Sequence, residues 1–256
     1  MKRVVLLPTL ITVANGYCGL LAVYKTYDGK FHYAAGLILL AMVFDVLDGM
    51  AARMTRVTSR FGAQLDSLSD AISFGVAPAF LAKAVVEQTW PGVYSPKLLA
   101  ILTAIYALGA LLRLARYNVE HASGEGTESS GKGVSRFDGI PTPGAAGVIA
   151  ALVFLIEDEH PIMNYSFLYY VLPPLCTLLG FLMISRVPYE HFGSRFLQGR
   201  RGFRYLFVVV VVIALVTRFP QEVCAVGFAA YGLSGPLLAP FRRGRKREKV
   251  EIPDGL

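Results

Sequence analysis

The stretch DVLDGMAARMTRVTSRFGAQLDSLSD, Asp45 to Asp70, decides how the chain is read, because it sets four carboxylates along two largely apolar segments. If both segments are helical, Asp45 and Asp48 are three residues apart and Asp66 and Asp70 four apart, so each pair projects from one face of its own helix. The link from Met54 to Phe61 is short enough to bring the two faces together at one membrane boundary. Carboxylates gathered in so small a volume repel one another, and a multivalent cation is their natural counter-charge. Oxygen ligands with no Cys or His nearby favour a hard ion, Mg2+ or Mn2+ with Ca2+ also compatible, over Zn2+. The bland alternative pairs these carboxylates with Arg53 and Arg56, or assigns one to a proton path. It leaves several like charges buried without a metal, which is costly.

The rest of the chain suits a membrane site. Its 256 residues are 54% hydrophobic and 17% charged, with a mean hydropathy of +0.51. That is too apolar for an ordinary soluble domain of this size. The expectation is an all-α, polytopic integral membrane helical bundle. A transmembrane helix takes about 20 mainly apolar residues, and eight candidate spans fall near 7–26, 31–54, 62–86, 97–119, 140–157, 165–185, 204–219 and 222–239. Counts of six or seven are also compatible. Met1, Lys2 and Arg3 lead into an apolar run without a small-residue cleavage site, so that run reads as a retained first helix.

Charge orients the bundle, since cytoplasmic loops collect Lys and Arg. With the amino terminus inside, Lys2 and Arg3, then Arg53 to Arg60, Arg113 to Arg136, Arg186 to Arg204 and Arg242 to Lys249 all fall on the cytoplasmic side. Only Lys25, Lys30, Lys83, Lys97 and Arg218 fall at outer ends. Both termini, and the Asp45 to Asp70 site, are then cytoplasmic. Residues 1–239 read as a single transmembrane domain with its catalytic core in about 1–190, and 240–256 as a basic cytoplasmic tail. The net charge of +7 is dispersed among loops, which points to anionic membrane lipids as partners and away from nucleic acid.

The remaining polar and aromatic residues read more plainly. Cys18, Cys176 and Cys224 are odd in number and each sits in an apolar segment, as packing thiols do. His32, His121, His160 and His191 have no metal-like spacing and are expected at the surface. Tyr165, Phe167, Tyr169 and Tyr170 suggest an interfacial aromatic belt. Val119 to Gly139 is polar and Gly/Ser-rich, the mark of a flexible cytoplasmic loop.

The spacing DxxDGxxAR, eight residues, then GxxxDxxxD is filled by Asp45, Asp48, Gly49, Ala52, Arg53, Gly62, Asp66 and Asp70. It resembles the signature of the CDP-alcohol phosphotransferase family. RLARYN, Arg113 to Asn118, and FDGIPTPGAAG, Phe137 to Gly147, resemble motifs of the membrane-integral phosphatidylserine synthases, and LPTLITVANGYCG resembles the family's opening segment. The resemblance implies a transferase in which the hydroxyl of L-serine attacks the β-phosphate of CDP-diacylglycerol, giving phosphatidylserine and CMP with Mg2+ or Mn2+ as cofactor.

The resemblance also implies roles for single residues. Asp45, Asp48, Asp66 and Asp70 would hold metal, and Asp70 is the candidate base, the sequence leaving open whether it is base, ligand or both. Gly49, Ala52, Arg53 and Gly62, with Pro8, Thr9 and Asn15 more weakly, would lie on the CDP-lipid side. Arg113, Arg116, Asn118, Arg136 and Asp138 are the candidates for serine, because a guanidinium can hold a carboxylate bidentately. The last two spans carry no assignable motif and would serve packing or a homodimer contact. Glycerol phosphate or inositol phosphate is the alternative acceptor. From other classes stand an Asp-rich intramembrane prenyltransferase, whose motifs lack GxxAR followed by GxxxDxxxD, and a cation-coupled transporter, which would set its carboxylates near mid-membrane.

Overall fold

The computed structural model describes residues 2–55, 60–122, 137–157, 167–185 and 188–189. Helix α1 (Lys2–Tyr27) turns into α2 (Phe31–Thr55), and α3 (Arg60–Asp70) runs through a π-helical turn (Ala71–Val76) into α4 (Ala77–Thr89). Then come α5 (Pro96–Ala122), β1 (Phe137–Asp138), α6 (Thr142–Ile156), α7 (Leu168–Ile184) and β2 (Pro188–Tyr189). The expected spans from 7–26 to 165–185 each correspond to a helical rod. Those at 204–219 and 222–239, and the basic tail, lie outside the described residues. Among the described residues, Phe31–Ala52, Phe61–Thr89 and Pro96–Val119 are long and apolar enough to cross a membrane, while α6 and α7 are shorter apolar helices.

Local chemistry sets the joints. Gly29, at φ 71°, closes α1: Lys30 N–H bonds the Lys25 carbonyl and Gly29 N–H the Thr26 carbonyl, so α2 starts two residues later and packs back along α1. Proline opens α6, with Pro141 extended at ψ 142° and Pro143 in the first turn. Helix α6 is deeply packed, with Gly144 to Ala151 buried on every side. The outward stripe of α1, Leu10, Val13, Tyr17, Leu20 and Tyr24, keeps the three- and four-residue spacing of one helix face and is exposed, as a lipid-facing surface would be.

Two expectations are corrected here. The polar stretch beginning at Val119 is not wholly loop: α5 continues to Ala122, and Phe137 and Asp138 pair antiparallel with Tyr189 and Pro188. This two-residue ladder is the one β element among the described residues of an otherwise helical chain. Tyr169 does not belong to an exposed belt with Phe167 and Tyr170. It is buried against Trp90, ring centroids 5.4 Å apart, because it falls on the inward side of α7. Cys18 and Cys176 are buried free thiols, as expected. His32 is exposed and packs edge-on to Phe154 at 4.4 Å.

Candidate active site

The carboxylates converge because two helices present them to each other. Asp45 and Asp48 sit in the last three turns of α2, and Asp66 follows in α3. Each offers an oxygen, and these oxygens lie within 4.8 Å of one another. Asp48 is buried at 7% exposure, and its Oδ2, like Asp66 Oδ1, is a buried oxygen without a hydrogen-bond partner among the described residues. Two orphaned carboxylate oxygens would be expensive if the site held only protein. Hard cations take oxygen ligands at about 2.0–2.6 Å, so three oxygens this close can share one ion. The residues present fit a hard divalent cation.

Asp70 has a partner of its own. Its Oδ1 accepts a 2.9 Å hydrogen bond from Asn15 Nδ2 on α1, both side chains buried. It remains within electrostatic reach of Asp45, Asp66 and Asp48. What carries Asn15 there is a close seam between α1 and the rod that follows Asp66. A Cβ on Gly16 would stand 2.9 Å from the movable Ser69 Oγ, and one on Gly19 would stand 2.7 Å from the backbone Cα of Ser73, so at Gly19 only glycine permits this approach. Ser73 Oγ then donates to the Asn15 backbone carbonyl at 2.9 Å and locks the register. The π-helical turn starts at the residue after Asp70, as such turns often do beside functional groups.

The other sequence candidates separate into groups. Pro8 and Thr9 are half-buried near the start of α1; one turn on, Thr12 donates to the Pro8 carbonyl at 3.0 Å and stands beside Asp48. Gly49 and Ala52 are half-buried on α2, and Gly62 half-buried on α3. Arg53 lies one turn after Gly49 in α2. On α5, the Arg113 Nη1 lies 3.5 Å from the Met183 carbonyl at the end of α7, whereas Arg116 is exposed. Asn118 Oδ1 accepts a 2.9 Å hydrogen bond from Ser67 Oγ, on the turn of α3 between Asp66 and Asp70. Asp138 is in β1, and Arg136 lies outside the described residues. Sequence reasoning missed Thr12, Ser67, Ser69 and Ser73. The usable signal was small residues at helical spacing, Gly16 with Gly19 and Ser69 with Ser73.

Similarity to known proteins agrees with this geometry. A Helicobacter pylori CDP-diacylglycerol–serine O-phosphatidyltransferase is 28% identical over 90% of this chain and 89% of its own. A Methanocaldococcus jannaschii protein of the same name is 31% identical over 91% of this chain and 95% of its own. In fold, the chain is similar to a Mycobacterium tuberculosis phosphatidylinositol phosphate synthase solved with manganese and citrate, at TM-score 0.54 and 20% identity, over 80% of this chain and 93% of that one. The model of the CDP-alcohol phosphatidyltransferase family matches residues 5–183, a span that contains all four aspartates, Asn15 and Asn118. The chain belongs to the CDP-alcohol phosphatidyltransferase family.

Proposed function

We propose that the chain transfers the phosphatidyl group of CDP-diacylglycerol to the hydroxyl of L-serine, releasing CMP and phosphatidylserine. The observation that carries the reaction type is the convergence of Asp45, Asp48 and Asp66, with orphaned oxygens, beside a separately held Asp70. Serine as acceptor rests on relatives named for that reaction that align over nine-tenths of the chain. A bound Mg2+ or Mn2+ would neutralise pyrophosphate oxygens and charge developing on the leaving phosphate.

The chain's own groups account for the remaining steps. Asp45, Asp48 and Asp66 would hold the metal, and Gly49, Ala52 and Gly62, which lack bulk, would leave room for the cytidine along the helix backbones. Arg53 would pair with a phosphate. The serine oxygen forms its bond to the β-phosphorus as the bond from that phosphorus to the CMP oxygen breaks, and the electron pair leaves with CMP. The hydroxyl proton passes to Asp70, whose Oδ1 is occupied by Asn15 and whose other oxygen is the acceptor. Asn15 thus serves the base. The full reading keeps one transmembrane domain over 1–239, eight spans, both termini cytoplasmic and the site at that boundary.

The test is CMP release by the purified full chain in Mn2+ or Mg2+, with serine, glycerol phosphate or inositol phosphate supplied in turn. Serine alone should stimulate release. Stimulation by either phosphate and not by serine overturns the acceptor, and release that ignores every acceptor and CDP-diacylglycerol overturns the reaction.

A further inference from the structure

The acceptor side holds a feature that the arginine-centred expectation does not use. Arg113, Arg116 and Asn118 do not share a helix face: at 3.6 residues per turn, Asn118 lies about 140° around α5 from Arg113 and about 160° from Arg116. Arg113 reaches towards the carboxyl end of α7, where Ile140 N–H bonds the Leu182 carbonyl and Ser185 Oγ also donates to that carbonyl. A guanidinium near the last carbonyls of a helix is well placed electrostatically. Asn118 instead bonds Ser67 of the aspartate-bearing helix α3. Ser67 follows directly on Asp66, and Tyr117, next to Asn118, is within electrostatic reach of Asp66.

We propose that Ser67 is a positioning residue that orients the Asn118 amide as a donor for the carboxylate of the amino-acid acceptor. The hydroxyl of Ser67 occupies Asn118 Oδ1 at 2.9 Å. An amide pinned through its oxygen is turned with its NH2 group away from Ser67, and an NH2 group has two N–H donors and no acceptor. Such a group donates to a carboxylate more strongly than to a neutral hydroxyl, because a hydrogen bond to a charged acceptor is the stronger one. It does so without bringing another full charge beside the carboxylate cluster. The inference deepens the serine reading and rests on it: Asp70 takes the hydroxyl proton, and Asn118 holds the other end of the same small molecule.

The experiment is steady-state CMP release by the full chain, with serine varied at saturating CDP-diacylglycerol and the reverse, and with serinol, which replaces the carboxylate by a hydroxymethyl group, as competing acceptor. Loss of one oriented hydrogen bond to a charged group is worth about tenfold. Ser67→Ala should therefore raise the serine KM about tenfold, leave kcat and the CDP-diacylglycerol KM within about threefold, and erode the preference for serine over serinol. Ser67→Thr, which keeps the hydroxyl, should restore the serine KM. Asn118→Asp, which replaces the donors by an anion, should raise the serine KM further than Ser67→Ala does. An unchanged serine KM in Ser67→Ala, or equal loss for both substrates and both acceptors, overturns the positioning role. Wild-type release that serine does not stimulate instead overturns the acceptor reading on which it stands.

Discussion

A carboxylate is worth most here where it lacks a protein partner. Asp48 Oδ2 and Asp66 Oδ1 are buried and unpartnered among the described residues, and a metal ion would complete them. Replacing Asp45, Asp48 or Asp66 by Asn keeps the shape and removes a ligand charge. Each change should lower CMP release by orders of magnitude while the helical signal in circular dichroism is kept. A wild-type rate from Asp66→Asn in Mn2+ would remove the trio from the mechanism. Asn15 makes a different prediction, because it bonds Asp70, the proposed base. Asn15→Ala frees one oxygen of Asp70 and should lower kcat about tenfold, the scale of one lost hydrogen bond to a charged group, with both KM values little changed. A raised CDP-diacylglycerol KM at constant kcat would return Asn15 to the nucleotide side.

At the scale of elements, prolines and tyrosines explain one another. Pro78 has no N–H, so the Phe74 carbonyl lacks its α-helical donor, and the Tyr106 hydroxyl supplies one at 2.8 Å from α5. Pro174 does the same to the Tyr170 carbonyl in α7, and the Tyr94 hydroxyl answers at 2.7 Å. The first bond is buried and the second exposed. Tyr106→Phe should thus cost about 1–3 kcal/mol by leaving a buried carbonyl unsatisfied, and Tyr94→Phe less, since water can replace its donor. Thermal midpoints of the two variants check this, and an equal drop would refute the burial argument. The α1 seam makes a steric prediction. Gly19→Val places a branched side chain where even a Cβ would meet Ser73 Cα at 2.7 Å. The helices must part, moving Asn15 off Asp70, so activity should fall further than in Asn15→Ala, with a lower thermal midpoint.

For the whole molecule, the trio joins two separate helices, so a metal bound by it would link binding to stability. A ligand that binds only the folded state at a hundred times its dissociation constant stabilises by about 2.7 kcal/mol. Mn2+ should raise the melting temperature of the purified chain, chelation should reverse the gain, and Asp66→Asn should abolish it. An equal rise in wild type and Asp66→Asn would place the stabilising ion elsewhere. Leu98, Ile101, Leu108 and Leu112 on α5 are apolar and exposed among the described residues, while the aspartates gather near the end of α2.

The sequence by itself determined whatever depends on local spacing. Carboxylates at three- and four-residue intervals name a helix face before any packing is known, and apolar runs bounded by Pro, Gly and charge mark where rods begin and end. Hence the aspartate site and the membrane-protein class were legible, with α2 expected at 31–54 and found at Phe31–Thr55. Only the tertiary structure decided which faces meet. It set Asn15 on Asp70 across 55 residues of chain, turned Arg113 towards the end of α7 and buried Tyr169. The π-helical turn was equally hidden, since it answers at once to Pro78, to the bond from Ser73 to α1 and to Tyr106 on α5. The physical reason is that helical periodicity fixes directions around one axis, whereas the distance between two axes depends on small residues such as Gly16, Gly19, Ser69 and Ser73 facing each other, which no single stretch of sequence contains.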